Sequence, residues 1–544
     1  MLLNSFANLK ISFKNFTQNF KELYFLSNYY DQKISRKVNI KFYFFPNPYL
    51  MTSLIKYQNF SFHLVEAEEN YWSKIDNLKT LKSASRFKWL NAVNRKVHSS
   101  HVQKIIHAWI KRNNKYNKTL WAADVIFDRV LSWLFNGELI LKNSDLEFQN
   151  IFYGSLNKQI NHIRNIPEKE IDYIHSLKKH TTLLITSVVI QELDQLFENS
   201  TKNVLNILEN YFDDQGILKS KNIDHLMVIS KYLILIEQIC HHGQKHLPDE
   251  LNILLEKIIN NIFVLKNPSG LTPLFMGATD KNLEVYFDYL KSLNYKKSPK
   301  TKNFSNLILI KSKKNIIYFD LNEPPKKSHS SFYQNGPLAF EYYYDKDKVI
   351  TNCGFGINIS DECTYYSRLT SAQSTLCLNQ TTVSKFNKSS IKNFYSPILS
   401  SFKIFDKFDK ETDFTLTAGA THNGYKKKYG YEHKRVITLN KVTESLYGED
   451  SLINVKEDEN RLNFNIRFHL YPETIAIKTM GDKGVIIKLN SGKSFVFKCD
   501  DCKLEIENGL FFGRKTTTKN LNINLIGMTN NKVTNIKWSI EKGA

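Results

Sequence analysis

The hydrophobic pattern of this 544-residue chain changes its period once, near Tyr295. From Val65 to about Leu293, apolar residues recur at three- and four-residue spacing, which is typical of amphipathic helices. After the polar, Pro-containing segment Lys296–Phe304, short β-rich runs follow at roughly ten-residue spacing. A single change of this kind predicts two parts of different structural class, a helical part followed by an antiparallel sandwich.

This pattern predicts four segments along the chain. We expect an N-terminal segment over residues 1–64, a helical domain over 65–295, a linker over 296–304 and a β-sandwich over 305–544. Many amphipathic helices in succession favour a helical array or a closed ring of helical hairpins. Because ligand pockets concentrate at domain interfaces, we expect the functional site in a cleft between the two parts.

The strand predictions begin with a hairpin formed by Asn306–Ile310 and Asn315–Leu321. The other predicted strands are Leu338–Tyr344, Lys348–Gly354, Ser374–Leu378, Phe414–Ala420, Asn463–Tyr471, Gly484–Leu489 and Lys493–Cys499. About 240 residues of such runs are typical of an antiparallel sandwich.

The chain is strongly basic, with 75 Lys and Arg against 53 Asp and Glu and a formal net charge of +22. Such a charge favours polyanionic partners, namely nucleic acid, acidic glycans or anionic lipid. The alternative is a general abundance of Lys, because the lysines are scattered and form no basic tail. We expect no nucleic-acid partner, since no RNA- or DNA-binding motif is present.

The sequence predicts neither a membrane span nor a signal peptide. No apolar run approaches the roughly 20 residues that a membrane span needs. The opening segment, residues 1–16, is interrupted by Asn4, Asn8 and Lys10 and lacks the apolar stretch of about 7–15 residues of a signal peptide. By this reasoning the chain is soluble and unprocessed.

Six cysteines in so long a chain do not indicate a disulfide framework. Cys499 and Cys502 form one C-x-x-C pair, without the second pair that a structural zinc site needs. We therefore expect two neighbouring thiols near the end of a strand and assign no metal ligands.

The densest polar segment is Ala420–Arg435, which contains His422, Tyr425, His433 and Arg435. His and Tyr can serve as base and acid, and Arg can neutralise a carboxylate. The alternative interpretation is a basic loop with solvated side chains.

Two further segments place polar residues just before predicted strands. Gln334 precedes a Gly-Pro turn, and Arg368 and Gln373 precede the strand Ser374–Leu378. Such residues can bind a ligand, but in sandwiches they are often hydrogen-bonded members of the core.

In the helical part, Trp121 and Arg129 lie within a segment of helical spacing. A Trp beside an Arg can hold sugar rings and acidic groups. The alternative is a core Trp, with Arg129 paired to Asp124 or Asp128. The segment Ser85–Leu90 has a similar character.

Several function classes lack their motifs in this chain. It has no P-loop, no G-x-G-x-x-G at a strand–helix junction, no G-x-S-x-G elbow and no H-E-x-x-H. Nucleotide-dependent and α/β-hydrolase chemistry are therefore not expected.

Taken in order, these segments resemble the heparinase II/III family of polysaccharide-lyase-like proteins from about Arg86 to Gly527. The segments that carry the resemblance are Ser85–Leu90, Leu120–Leu134, Asn267–Gly277, Gly336–Tyr344, Val349–Gly354, Arg368–Ser384, Thr421–Leu439, Leu446–Leu452 and Ile466–Glu473. The resemblance implies an incomplete (α/α) toroid followed by an antiparallel β-sandwich. It also implies β-elimination of uronic-acid-containing glycans, in which a base removes the proton α to a neutralised carboxylate.

The chain departs from the family pattern at three places. Gln334 and Gln373 stand where the family carries His, and the turn Asp213–Asn222 lacks a further His. Glutamine can form hydrogen bonds but cannot shuttle a proton near neutral pH. By contrast, His422 and Tyr425 match the family's H-x-G-Y segment, and His433 matches the following H-x-R.

The resemblance therefore implies specific roles. His422, Tyr425 and His433 are the predicted catalytic residues of a carbon–oxygen lyase. The predicted substrate-binding residues are Gln334, Arg368, Gln373, Arg435, Arg129 and Trp121. We expect no cofactor, with a structural or catalytic divalent metal left open.

The expected partner is an acidic polysaccharide or oligosaccharide. The alternative function is a non-catalytic, acidic-glycan-binding or envelope-associated protein on a lyase scaffold, because of the two His-to-Gln departures. The family resemblance implies the cell envelope or periplasm, and the cytoplasm is the alternative because no signal peptide is legible. The sequence predicts neither the sugar nor the oligomeric state.

Overall fold

The computed structural model describes most of the chain outside the N-terminal region. The residues described are 20–36, 40–54, 71–73, 75, 77–95, 99–168, 172–190, 193–296, 303–386, 397–456, 461–530 and 532–543. The opening segment 1–16, the predicted start of the helical part at Val65 and the predicted linker residues 297–302 lie outside these ranges.

Helices dominate the described chain up to Ser292. The helices are α1 Asn28–Ile34, α2 Leu78–Ala84, α3 Ser99–Asn113, α4 Ala123–Phe135, α5 Gly137–Leu141, α6 Leu146–Asn165, α7 Tyr173–Val189, α8 Asp194–Tyr211, α9 Ile223–His242, α10 Asp249–Val264, α11 Glu284–Ser292, α12 Asp361–Tyr366 and α13 Lys426–Tyr429. Short 3-10 helices cover Pro48–Leu54, Tyr71–Ser73, Lys88–Ala92, Lys327–His329, Gly356–Asn358 and Thr370–Ala372. Among these residues, no helix is both apolar and long enough to cross a membrane.

Local sequence explains where the long helices begin. Asp145 precedes α6, and its side chain accepts a hydrogen bond from the backbone N–H of Phe148. Asp172 precedes α7 and accepts in the same way from His175. Each carboxylate satisfies a backbone donor that the first helical turn leaves unpaired.

The strands after residue 303 form two antiparallel sheets. The strands are β1 Leu307–Ser312, β2 Asn315–Asp320, β3 Phe340–Tyr344, β4 Asp347–Thr351, β5 Leu376–Leu378, β6 Ile404–Glu411, β7 Thr415–His422, β8 Tyr431–Asn440, β9 Leu446–Asn454, β10 Asn463–Leu470, β11 Ile475–Lys478, β12 Gly484–Lys488, β13 Ser494–Lys498, β14 Lys503–Phe511, β15 Thr518–Met528 and β16 Val533–Lys542. One sheet has the order β1-β2-β3-β4-β10-β15-β14, with β5 on β10, and the other has the order β11-β12-β13-β16-β9-β8-β7-β6.

The two sheets share one hydrophobic core. Phe340 of the first sheet stacks on Trp538 of the second with ring centroids 5.5 Å apart, and Phe468 meets the same Trp538 at 4.8 Å. Side chains that interdigitate in this way define a β-sandwich. The predicted fold class, a helical region followed by an antiparallel sandwich, is therefore confirmed, as is the β1–β2 hairpin.

The chain forms two compact units that are discontinuous in sequence. Residues 1–210 and 229–255 form the first unit, and residues 211–228 and 256–544 form the second. The first unit is helical. The second combines the β-sandwich with the turn that follows α8 and with the loops around residues 267–283.

Candidate functional site

Strands β7, β8 and β9 bring the polar residues of Ala420–Arg435 to one face of their sheet. His422 pairs across the sheet with His433, and Arg435 pairs with Asp450. Burial alternates along β8, so His433 and Arg435, two residues apart, point to the same side. That side is the interior of the sandwich, and His422, His433, Arg435 and Asp450 are all fully buried.

The two histidines and Asp450 form a chain of hydrogen bonds in which His422 donates to His433 and His433 donates to Asp450. The backbone N–H of Gly424 donates to Nδ1 of His422 at 3.1 Å, so the imidazole proton is assigned to Nε2. That nitrogen is 3.1 Å from Nδ1 of His433, whose Nε2 is 2.7 Å from the Oδ1 atom of Asp450. With both imidazoles neutral, each N–H donates to the next group along the chain.

Asp450 also holds Arg435 in the interior. Arg435 donates through Nε to Oδ1 at 2.7 Å and through a terminal nitrogen to Oδ2 at 3.1 Å, which makes a bidentate pair. Its other terminal nitrogen donates to the carbonyls of Leu338 and Ser374, both at 2.9 Å. The indole N–H of Trp538 donates to Oδ2 of Asp450 at 2.9 Å.

Burial decides which of these groups carry charge. It lowers the pKa of His422 well below its ordinary value, and the nearby His433 and Arg435 lower it further. Burial also lowers the pKa of His433, although the hydrogen bond to Asp450 opposes this. Burial alone would raise the pKa of Asp450, but Arg435 and His433 hold it far below its ordinary range. The network thus contains neutral imidazoles and one buried ion pair.

Tyr425, the third predicted catalytic residue, is also buried. Its hydroxyl donates to the carbonyl of Leu376 at 3.0 Å, and its ring lies 5.5 Å from that of His422. Burial raises the pKa of Tyr425 well above its ordinary value. The structure therefore brings His422, Tyr425 and His433 together, but in the interior and with none of them open to solvent.

Gln334 and Gln373 lie side by side in the second unit, and both are buried. Both amide groups donate to the carbonyl of Ser367, at 2.8 and 2.9 Å. Gln334 donates in addition to the carbonyl of Gly354 at 3.1 Å and accepts from the N–H of Gly277 at 2.9 Å. These two amides join three loops to one another through hydrogen bonds. An amide does not titrate near neutral pH, so neither group can transfer a proton.

Arg368 is buried beneath an aromatic ring. Its guanidinium lies 3.8 Å from the ring centroid of Phe386 and donates to the carbonyls of Tyr333 and Ser330, at 3.0 and 3.1 Å. Burial lowers the pKa of Arg368 to about 10, so the group is charged at neutral pH. The structure separates it from solvent by Phe386.

Trp121 and Arg129 are core residues of the first unit. The indole of Trp121 donates to the carbonyl of Asn113 at 3.1 Å. Arg129 stacks on Trp109 at 4.3 Å and donates to the side chain of Gln159 at 2.6 Å. All nine predicted site residues are thus buried, and their proposed roles in catalysis and binding remain predictions.

The first unit has an accessible cationic cluster that the residue predictions missed. Arg86 donates to Asp124 at 2.6 Å and to Asp128 at 2.8 Å, and Lys88 lies 2.9 Å from the same Asp128. The side chains of Arg86 and Lys88 remain 28% and 25% exposed. Trp89, next to them, is half-buried.

Asp128 anchors this cluster. Burial opposes its ionisation, but Lys88, Lys178 and Arg86 lower its pKa to about 2. Arg86 and Lys88 are balanced by Asp124 and Asp128, and Lys178 adds a third positive charge, so these five side chains carry a formal charge of +1. The signal was present in the sequence, because Arg86, Lys88 and Trp89 belong to the segment Ser85–Leu90. We name Arg86, Lys88 and Trp89 the cationic cluster.

A partly exposed histidine lies at the start of α9 in the second unit. Asn222 caps this helix, and its side-chain oxygen accepts from the backbone N–H of His225 at 2.8 Å. The ring of His225 packs edge-on against Phe332 at 4.7 Å. Another His of this unit, His329, contacts Tyr211 at 5.6 Å. Sequence reasoning missed His225 because no motif marks it.

The cysteine pair lies at the end of β13, as predicted. A side-chain hydrogen bond from Cys502 lowers the pKa of Cys499, which is buried, while Cys502 is partly exposed. Across the residues that the structure describes, no three His, Cys, Asp or Glu side chains converge as metal ligands would.

Comparison with known proteins identifies the second half of the chain. Residues 302–539 match the family model described as heparinase II/III-like, C-terminal. A curated relative, FtsZ-localized protein C of Caulobacter vibrioides, is 26% identical over 219 residues. That match covers 38% of this chain and 37% of the relative, so it spans little more than a third of either protein.

Solved structures agree with the whole fold. A heparan sulfate lyase of Pedobacter heparinus, determined as a mutant, superimposes with a TM-score of 0.68 at 12% identity, covering 94% of this chain and 87% of that one. A heparinase III superimposes with a TM-score of 0.61 at 12% identity, covering 97% and 91%. At such identities the likeness shows the fold. Residues 302–539 match a heparinase II/III-like C-terminal domain, and the chain as a whole shares the fold of these heparin and heparan sulfate lyase structures.

Proposed function

We propose that this protein binds acidic polysaccharide on a heparinase-type scaffold without cleaving it through His422, Tyr425 or His433. The observation that carries the proposal is the burial of those three side chains, with both nitrogens of each histidine hydrogen-bonded. A general base must come within hydrogen-bond reach of the proton that it removes. A glycan chain outside the sandwich stays beyond that reach.

The residues at 334 and 373 support the same proposal. Both positions carry glutamine where the family carries histidine, and both amides are used to join loops. Amides neither accept nor release protons near neutral pH. The proton-transfer groups that the resemblance predicts are thus either replaced by glutamine or enclosed.

The cationic cluster is the proposed contact for the glycan. Arg86 and Lys88 keep part of their side chains exposed, and Trp89, which follows Lys88 in the sequence, is half-buried. Guanidinium and ammonium groups bind carboxylates and sulfates through charge-assisted hydrogen bonds. Aromatic side chains offer an apolar face to a sugar ring. The net charge of +22 favours the approach of a polyanion.

A binding and turnover panel tests this proposal. Fluorescently labelled heparin, heparan sulfate, chondroitin sulfate and alginate would be titrated by anisotropy, and unsaturated uronate products would be followed by absorbance. We expect binding without product. Arg86→Gln and Lys88→Gln should each weaken binding about tenfold, or about 1.4 kcal/mol, whereas the exposed control Lys104→Gln should not. Product release by the wild-type protein, or unchanged affinity in both variants, would contradict the proposal.

A second candidate function is β-elimination by a different residue, and the partial exposure of His225 favours it. His225 follows Asn222, which is itself buried and serves as the helix cap. The imidazole of His225 could take up the proton α to a carboxylate. If the panel yields product, His225→Gln should abolish it while His422→Gln preserves it, provided that both variants fold. The reverse result would assign the chemistry to His422.

We also propose that the protein acts at the cell envelope. The curated relative is named for its localisation with FtsZ, a bacterial protein, and the scaffold is that of enzymes named for polysaccharide substrates. Fractionation of cells that express the tagged full chain would test this. Recovery only in the soluble cytoplasmic fraction would contradict it.

A further inference from the structure

A cavity of about 420 Å³ opens in the second unit, and none of the buried histidines lines it. Within the described part of the chain it is lined by Tyr365, Leu369, Thr381, Thr382, Ser384, Lys385, Phe386 and Leu399. Its volume falls in the range of roughly 300–1,000 Å³ that is typical of small-molecule sites. We name this cavity the Ser384 pocket.

The Ser384 pocket contains a buried polar group that faces no protein partner. Ser384 is fully buried, and among the described residues its hydroxyl has no hydrogen-bond partner. The backbone of Ser384 is held in place because its N–H donates to the side chain of Asn335 at 3.2 Å and its carbonyl accepts from the same side chain at 3.0 Å. A buried hydroxyl without a partner is costly, so a fixed one that lines a cavity indicates a ligand.

The charges around the pocket are positive. Lys385 lines it and is exposed. Behind the Phe386 wall lies the guanidinium of Arg368, 3.8 Å from the ring centroid. At the rim, Lys428 donates to the hydroxyl of Thr381 at 3.2 Å. Among the described lining residues there is no acidic side chain.

The lining also has the two features that a sugar ring requires. Phe386 and Tyr365 supply aromatic surface, and the hydroxyls of Thr382 and Ser384 supply donors and acceptors. The hydroxyl of Thr381 is already engaged by Lys428, by Tyr429 and by the carbonyl of Asn379. An apolar ligand would leave the Ser384 hydroxyl unsatisfied, whereas a small inorganic anion would leave the rings uncovered.

We propose that the Ser384 pocket binds a carboxylate- or sulfate-bearing sugar unit of an acidic glycan. The Ser384 hydroxyl would bond a sugar oxygen, and Lys385 would pair with the anionic group. This inference rests on the proposed glycan-binding function and adds a contact for the same ligand class within the second unit.

A size-selected probe separates this pocket from the cationic cluster. The probe is a sulfated, uronate-containing disaccharide prepared from heparin, titrated calorimetrically into the full-length protein. Lys385→Glu and Thr382→Trp should each weaken disaccharide binding at least tenfold, by charge reversal and by blocking. Lys488→Glu, at an exposed position on β12, is the matched control and should bind like the wild type. Thermal melting of each variant reports whether it is folded.

The outcomes distinguish the two proposals. Loss of disaccharide binding in Lys385→Glu and Thr382→Trp, with retention in Arg86→Gln, supports the Ser384 pocket. Wild-type affinity in both pocket variants, or no disaccharide binding by the wild-type protein, overturns it, and long-chain binding that is sensitive to Arg86 then leaves the proposed function intact. Equal competition by inorganic sulfate alone would overturn the assignment to a sugar.

Discussion

Asp450 accepts four hydrogen bonds inside the sandwich. One comes from His433, two from Arg435 and one from the indole of Trp538. The carboxylate thus compensates a buried guanidinium and fixes the tautomer of a buried imidazole. Its removal leaves both groups without a partner in an apolar interior.

We therefore predict that Asp450→Asn destabilises the second unit by about 3–5 kcal/mol, the usual cost of removing one partner of a buried ion pair. The midpoint of urea unfolding measures this. Asp409→Asn, at an exposed position on β6, is the control and should change stability by less than about 0.5 kcal/mol. A variant of Asp450 as stable as this control would show that the ion pair is dispensable.

The neutral histidines predict a pH dependence with a definite direction. An unfolded histidine takes up a proton near its ordinary pKa, about 6.5, whereas burial depresses the pKa of folded His422 and His433. The contribution of these histidines to the free energy of unfolding is therefore fully present above about pH 6.5 and decreases as the pH falls below this value. Each such histidine contributes a slope of about 1.4 kcal/mol per pH unit until the pH reaches its folded pKa.

His422→Gln should reduce that slope by about 1.4 kcal/mol per pH unit between pH 6 and pH 5. Urea unfolding at several pH values measures the slope independently of any constant loss of stability. His246→Gln, at an exposed position, should leave the slope unchanged. An unaltered slope in the His422 variant would mean that His422 is protonated in the folded protein.

Residue types were easier to predict than their surroundings. The sequence singled out His422, His433 and Arg435, and the structure brings them together. Their partner Asp450, on β9, was missed, because a cross-strand partner depends on register that local pattern does not specify. Burial was missed for the same reason: charged residues are seldom fully buried, except where such a partner exists.

The polar segment Ala420–Arg435 contains an exposed part, the helix Lys426–Tyr429, between two buried parts. Its three lysines are exposed, and Gly430 ends it in the left-handed conformation with φ +78°. The residues that flank it, at the end of β7 and the start of β8, face the interior. The segment is thus a strand, a helical turn and a strand, where the sequence left a solvated loop as an alternative.

Strand prediction succeeded where β-branched and aromatic residues are continuous. The β1–β2 hairpin and the strands β12 and β13 follow the predicted runs closely. Seven strands were missed, namely β6, β8, β9, β11, β14, β15 and β16. Of these, β6 carries Asp and Lys at exposed positions and β14 has only scattered apolar residues. Their pairing with neighbouring strands overrides weak intrinsic preference.

Two glycine substitutions should have opposite effects. In β9, a Cβ atom at Gly448 would lie 2.0 Å from the indole of Trp538, its cross-strand partner. In α6, a Cβ atom at the exposed Gly154 meets nothing within 4 Å. Gly448→Ala should therefore destabilise the protein by at least about 1–3 kcal/mol, and Gly154→Ala should stabilise it by up to about 1 kcal/mol.

Thermal melting of the two variants side by side measures this contrast. The same chemical change is made in both, so each serves as the matched control of the other. Equal shifts of both melting temperatures in one direction would contradict the packing argument at Gly448.

On the scale of the whole molecule, the net charge predicts that the proposed glycan binding depends on salt. The chain carries a formal charge of +22, and Debye screening shortens from about 10 Å at 0.1 M to about 3 Å at 1 M ionic strength. We predict that affinity for heparin falls by at least tenfold between low salt and 0.5 M NaCl in an anisotropy titration. Neutral dextran is the control. Salt-independent heparin binding would argue against electrostatic recognition.

The hydrogen bonds of Gln334 disfavour a histidine at this position. At position 334 a single amide donates twice and accepts once, whereas a neutral imidazole has one donor and one acceptor. A histidine at position 334 could therefore keep only one of the two donor contacts that Gln334 makes, and the loop junction would lose a hydrogen bond. The junction of these loops is thus built around an amide, and a histidine at this position would be accommodated only with a loss of stability.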